Sequence, residues 1–402
     1  MAHRLLTLLA LLLASIPVKA EDIKFPKIDI RRPKADYSFI QKRISTASFQ
    51  FDEETRDGMQ MDFRNCDLTA YNLADNRFMQ YASFNTKTRF PEKLPPGFDY
   101  RKNMELGKNP GLGLRTLHKR GITGKNIGIG IIDQSLLSEH NEYADKLRLY
   151  EEIHCLDRSA SMHGPAVASI AAGKTVGVAP EADLYFIGQT NGEMKAGREF
   201  EFDLASIAQS INRMVEVNKQ LPEGRKIRVI SISLGLMPRF KGYEETMKAI
   251  ADADKNGILV LSVGNDTVPV DGLGRFPTAD PEEKDSFTSG MMFTGNKNGA
   301  GPYALQVPMD SRTLADPNGE DVYYFSRVGG QSWIIPWTAG LYALACQVYP
   351  AVTPAIFREA ALSTADSITF KRNDKEYTLE KVVNPVRLMD KLALMNKKAG
   401  GK

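Results

Sequence analysis

The chain has 402 residues, enough for one large domain or two ordinary ones, with a core that needs no disulfide staples. Its 52 basic and 49 acidic side chains leave a formal charge of +3 with no long basic block, which argues against nucleic acid or a charged membrane surface as a partner. Three cysteines, Cys66, Cys155 and Cys346, are too few and odd in number for a disulfide framework, and fit export from a bacterial cell.

In chain order, the first signal is a positive start at Arg4 followed by an almost wholly apolar run over residues 5–16 and the small-residue site Val18-Lys19-Ala20. This reads as a signal peptide, residues 1–20, cleaved after Ala20, so a secreted protein is expected. The other reading is an uncleaved anchor, but the run is shorter than the roughly 20 residues that cross a bilayer, and no stable membrane insertion is expected. Residues 21–101 form a polar N-terminal pro or accessory segment. Within it Phe63, Leu68, Leu73 and Phe78 recur every five residues, as in pentapeptide repeats whose central apolar residue points into a narrow solenoid. Chance spacing in an irregular prosegment is the competing reading, since so few coils cannot stand alone.

After a stiff connection at Pro91, Pro95, Pro96 and Gly97 the pattern changes, and residues 102–402 read as one catalytic domain. Short β-branched runs at 127–132, 183–187, 228–234 and 257–263 have the continuous apolar character of strands buried on both faces. Helical spacing of apolar residues marks 164–172, 204–218 and 244–254. The alternation predicts an α/β fold, a parallel sheet with helices on both faces, whose reactive groups gather at the carboxyl ends of the strands.

Singly, the candidate residues have ordinary explanations. Asp133 at a strand end serves as a cap or turn former, His163 before a small-residue helix fills a core pocket or caps, and Ser332 before a helix is a cap. Together they run in the order Asp, His, Ser with a glycine-rich approach to the serine, the order of one known triad arrangement.

The blocks IGIGIIDQS, SMHGPAVASIAAGKTVGVAPEADLYFIG, VISISLG, ILVLSVGND and GGQSWIIPWTAGLYAL resemble, in order and spacing, the signature blocks of the subtilases. The resemblance runs from about Gly111 onward. It implies a serine endopeptidase with Asp133, His163 and Ser332 as triad, and an oxyanion hole formed by the Asn265 side chain and the Ser332 N–H. It also implies that Ser233, Leu234 and Gly235 pair with an extended substrate backbone, with Gly264 lining the pocket for the side chain before the cut bond. The expected partner is a protein or peptide substrate. No cofactor is expected; a structural calcium follows from the resemblance alone, without a calcium loop in the sequence.

Some neighbours depart from the family pattern. Asp133-Gln134-Ser135 lacks the glycine that usually eases the turn, His163 is followed by Gly164-Pro165-Ala166, and Ser332 by Trp333-Ile334-Ile335-Pro336-Trp337, with two bulky aromatics where smaller or different groups are expected. These changes keep a second reading open, an inactive subtilase fold that binds peptides or proteins. Glu139-His140 and His154-Cys155 have metal-ligand types without metal-ligand spacing, and Cys346 reads as a small buried hydrophobe.

Overall fold

The computed structural model describes residues 23–50, 61–195, 199–291, 304–372 and 374–400. The signal-peptide reading therefore lies outside the described residues. Among those described, no helix is long and apolar enough to cross a membrane.

The centre is a six-stranded parallel sheet in the order Lys27–Ile28, Leu147–Glu152, Asp183–Gly188, Gly128–Asp133, Ile227–Gly235, Leu259–Val263. The four strand runs read from sequence all lie in it. From Gly128–Asp133 the chain places Leu147–Glu152 and then, between the two, Asp183–Gly188 on one side before Ile227–Gly235 and Leu259–Val263 on the other, so the carboxyl end of Gly128–Asp133 lies where the strand order changes direction, the place where ligands bind in such sheets. Side chains alternate across it: Ile129 and Ile131 enter the core shared with helices His163–Ala172 and Gln331–Val348. Ile132, Ile230 and Ile232 enter the opposite core, with Ile207, Ile211 and Met214 of helix Ala205–Gln220 and Ala249 and Ala253 of helix Tyr243–Lys255. By the same two-residue period Asp133 follows Ile131 to the face on which His163–Ala172 begins. That helix is apolar and small all round, with Ala166, Ala168, Ala171 and Ala172 buried, because it lies between the sheet and the long helix Gln331–Val348.

The N-terminal segment is built into this body. Lys27 and Ile28 pair in parallel with Leu149 and Tyr150 as the edge strand of the central sheet, and Lys27 and Arg32 form ion pairs with Glu151 and Glu152. Met61–Asp62 and Ala82–Asn85 continue a second sheet made by Arg312–Ala315 and Tyr323–Ser326. Phe63, Leu68 and Leu73 are buried in one cluster with Phe84 and Phe325, and Phe78 packs at its margin. Turns recur at 64–65, 69–70 and 74–75, which is how a five-residue spacing brings successive apolar side chains to one side. Burial of each large side chain there contributes about 1.5–3 kcal/mol.

The seam carries a buried polar knot. Asp316 accepts from the Asn318 N–H at 2.8 Å and from Asn85 Nδ2 at 3.1 Å, while Asn85 Nδ2 also reaches Asn65 Oδ1 at 2.6 Å. Burial pushes the Asp316 carboxyl up to about 6, against those two hydrogen bonds and the nearby charge of Arg64. A carboxyl that holds its proton more tightly when folded adds stability below its unfolded pKa and loses it as pH rises through the folded value. The stability of Asp316→Asn relative to the parent is therefore expected to rise by about 2 kcal/mol between pH 4 and pH 7. Denaturant unfolding at both pH values checks this; a constant difference would show that Asp316 does not titrate in that range.

Candidate active site

Asp133 ends its strand buried. Its Oδ1 accepts from the Gln134 backbone N–H at 2.8 Å and from His163 Nδ1 at 2.6 Å. The turn that lacks the usual glycine is held by other means. Ser135 donates its N–H to Asp157 at 2.9 Å and its hydroxyl to the Ser159 carbonyl at 2.9 Å, and the Ser161 hydroxyl donates to the Gln134 side-chain oxygen. Ser161 Oγ in turn accepts the His163 N–H at 3.3 Å, so the first turn of the histidine helix is capped by the loop that the Asp133 turn holds. Gly164 fits this close approach: a Cβ there would lie 2.4 Å from the Gln134 carbonyl oxygen and 2.6 Å from that of Ser135. Burial pulls the His163 imidazole down, and the Asp133 carboxylate, by charge and hydrogen bond, more than reverses this, leaving His163 above the ordinary histidine value.

Ser332 is the second residue of helix Gln331–Val348, whose N-cap is Gly330 in extended conformation. Its backbone N–H is thus one of the unpaired donors at the positive end of a helix. Pro336 lies four residues on and has no N–H to give the Ser332 carbonyl. That carbonyl instead accepts from Ser233 Oγ at 3.0 Å, and the Ser332 hydroxyl returns a long contact to the Ser233 carbonyl at 3.4 Å. The nucleophile candidate is in this way tied to the end of strand Ile227–Gly235. Its approach loop is anchored from behind by Asp310, which accepts from the Gly329 N–H at 2.7 Å and the Met291 N–H at 2.8 Å.

The edge read as a substrate rail is open. Ile232 is the last residue of its strand paired with Gly128–Asp133, opposite Ile132, whereas Ser233, Leu234 and Gly235 run beyond it, half-buried. On the other side Gly235 pairs with Val263 after a register shift. Gly264 follows, exposed, at φ 76°, a backbone region that favours glycine, and a Cβ there would meet nothing within 4 Å. Asn265 is engaged locally: Nδ2 donates to the Val260 carbonyl at 3.1 Å, and Oδ1 accepts the Thr267 and Val268 N–H groups at 2.8 and 3.1 Å. One of its two N–H bonds is committed and its orientation is fixed by the turn.

Sequence reasoning missed Ser161, Asp310 and the part played by Pro336. Ser161 stands two residues before His163, one before the N-cap Met162, where a hydroxyl within reach of the first helical N–H is a visible signal. Asp310 has no local pattern to betray it, being 19 residues from the glycine it holds. His140 and His154 stay apart from the site: the His140 ring bonds the Val322 carbonyl, and His154 faces Glu193. Among the described residues no group of three His, Cys, Asp or Glu side chains is arranged to hold a metal ion.

A model of the subtilase family matches residues 124–333, a span that takes in Asp133, His163 and Ser332. The chain is 25% identical over 290 residues to the subtilisin-like protease PopC of Myxococcus xanthus, covering 63% of this chain and 58% of that protein. It is 25% identical over 279 residues to the minor extracellular protease Epr of Bacillus subtilis, covering 66% of this chain and 39% of that protein. The chain thus spans less than two thirds of the curated relatives it matches. Among solved structures, one of the subtilase cytotoxin SubAB assembly superposes with a TM-score of 0.51 at 15% identity, over 73% of this chain and 98% of the other. At that identity the likeness speaks for the fold alone.

Proposed function

Because the chain belongs to the subtilase family, we propose that it is a secreted serine endopeptidase working through Asp133, His163 and Ser332. The observation that carries this reading is the 2.6 Å bond from His163 Nδ1 to Asp133 at the carboxyl end of the central strand. It fixes the Nδ1–H tautomer and leaves Nε2 as the base. Serine is a poor nucleophile at its own pKa. Its hydroxyl leaves the long contact to the Ser233 carbonyl and gives its proton to Nε2 as Oγ attacks the peptide carbonyl. The oxyanion that forms is met by the Ser332 N–H at the helix start and by the second Nδ2–H of Asn265. His163 then passes the proton to the departing amine, leaving an acyl-serine that water, deprotonated by the same imidazole, hydrolyses. A substrate strand added along Ser233, Leu234 and Gly235 supplies backbone pairing, with Gly264 leaving room for the side chain before the cut bond. Fluorophosphonate labelling with casein hydrolysis tests the reading. A folded protein that neither labels nor cleaves would favour a binding role on the same scaffold.

The N-terminal segment is retained rather than discarded in this reading. A cut between Pro91 and Gly111 would strip the edge strand from the central sheet and uncover Phe325, on which Phe84 stacks at 5.2 Å. The intact mass of the secreted protein is expected to correspond to a start at Glu21; a mature start between Pro91 and Gly111 would show removal.

A further inference from the structure

Trp333, directly after Ser332, is the departure from the family pattern closest to the chemistry. Its indole is buried, 5% exposed, and its ring centroid lies 5.2 Å from that of His163 with the planes 35° apart. The indole is held from the far side: Nε1 donates to Ser326 Oγ at 3.3 Å, and the Ser326 hydroxyl donates to the Val328 carbonyl at 3.1 Å. Ser326 belongs to strand Tyr323–Ser326, on which the N-terminal segment also builds its sheet. The imidazole therefore has two contacts of different kind, a carboxylate on Nδ1 and an aromatic ring tilted against it.

We infer that Trp333 is a positioning residue for His163, holding the imidazole plane and favouring its protonated form, the form it must take each time Ser332 loses a proton. The catalytic meaning of this contact rests on the proposed protease reading, whereas its effect on the imidazole does not. An indole face is the best aromatic partner for a cation, and the effect grows where water is excluded. The opposing effect is the water the ring displaces, which disfavours the charge. A leucine at 333 would still cover the imidazole with apolar atoms, so comparing tryptophan with leucine isolates the aromatic face. Asp133 is the charged group that faces His163 and raises its pKa, and it is unchanged in that comparison.

The test is the pKa of His163 followed by NMR titration of its ring, in the parent and in Trp333→Leu, Trp333→Phe and Ser326→Ala, alongside the pH profile of kcat/KM. The expected result is a fall of about 0.5–1 pH unit in Trp333→Leu. Trp333→Phe should show less than half of it, and Ser326→Ala, which frees the indole without removing it, a smaller fall in the same direction. The acid limb of kcat/KM should move with the ring. A merely structural tryptophan would lower thermal stability and leave the titration in place, and an unchanged His163 pKa in the folded leucine variant would overturn the inference. If Trp333→Leu does not fold, an unmoved titration in both Trp333→Phe and Ser326→Ala overturns it equally. A protein that shows the shift but cleaves nothing would sink the protease reading and leave the positioning claim standing.

Discussion

Ser332→Ala is expected to abolish fluorophosphonate labelling and to cut peptide hydrolysis by about six orders of magnitude, with the fold intact. The size follows from the proposed mechanism, in which the three groups act as one unit. Without Oγ there is no acyl intermediate, and the remaining oxyanion donors and the substrate rail leave only the background rate that binding and electrostatics supply. The substitution is gentle on the structure. The Ser332 hydroxyl makes one long contact, 3.4 Å to the Ser233 carbonyl, while the stronger bond of the pair, from Ser233 Oγ to the Ser332 backbone carbonyl, survives. Unfolding by heat should therefore stay within about 0.5 kcal/mol of the parent. Residual cleavage at the parent's rate in the purified variant would place the nucleophile elsewhere.

The parallel sheet was legible because its signal is local. The run at 127–132 announces a doubly buried strand by composition alone, and the structure starts that strand one residue later and ends it on Asp133. Asp133 and His163, which the fold joins, were legible because a strand end and a helix start are themselves sequence features. The N-terminal segment was not: Lys27–Ile28 is two residues long, and its place depends on Leu149 and Tyr150 more than a hundred positions away. The same holds for Asp310, whose bond to Gly329 is a product of the tertiary fold, and for Trp333, whose bulk was visible but whose contact with His163 was not. Gln134 and Ser135 show the opposite failure. Read locally they are a lost glycine; folded, they tie the Asp133 turn to the loop that caps the His163 helix. The residue types that depart from a family pattern are thus the ones whose compensations lie off the local sequence.

Asp133→Ala is expected to lower kcat by about four orders of magnitude, and Asp133→Asn by clearly less. The distinction comes from one geometric fact: the Gln134 N–H and His163 Nδ1 both bind the same oxygen, Oδ1, at 2.8 and 2.6 Å. An amide at 133 can satisfy the Gln134 N–H only with its oxygen in that position, and the oxygen then still accepts the Nδ1 proton. The productive tautomer survives in Asn and is left unsupported in Ala. Both variants lose the carboxylate charge while the imidazole stays largely buried. The two influences on His163 then no longer oppose each other, and burial alone carries its pKa below the ordinary 6.5. In the proposed mechanism activity requires the neutral base, so the acid limb of kcat/KM, expected above 6.5 in the parent, should move below it in both variants as their rates fall. Rate and limb together separate orientation from charge. A limb that moves equally in both, with a larger rate loss in Ala, assigns the difference to tautomer control through Gln134; equal rate losses would mean that the amide nitrogen, not its oxygen, faces the imidazole.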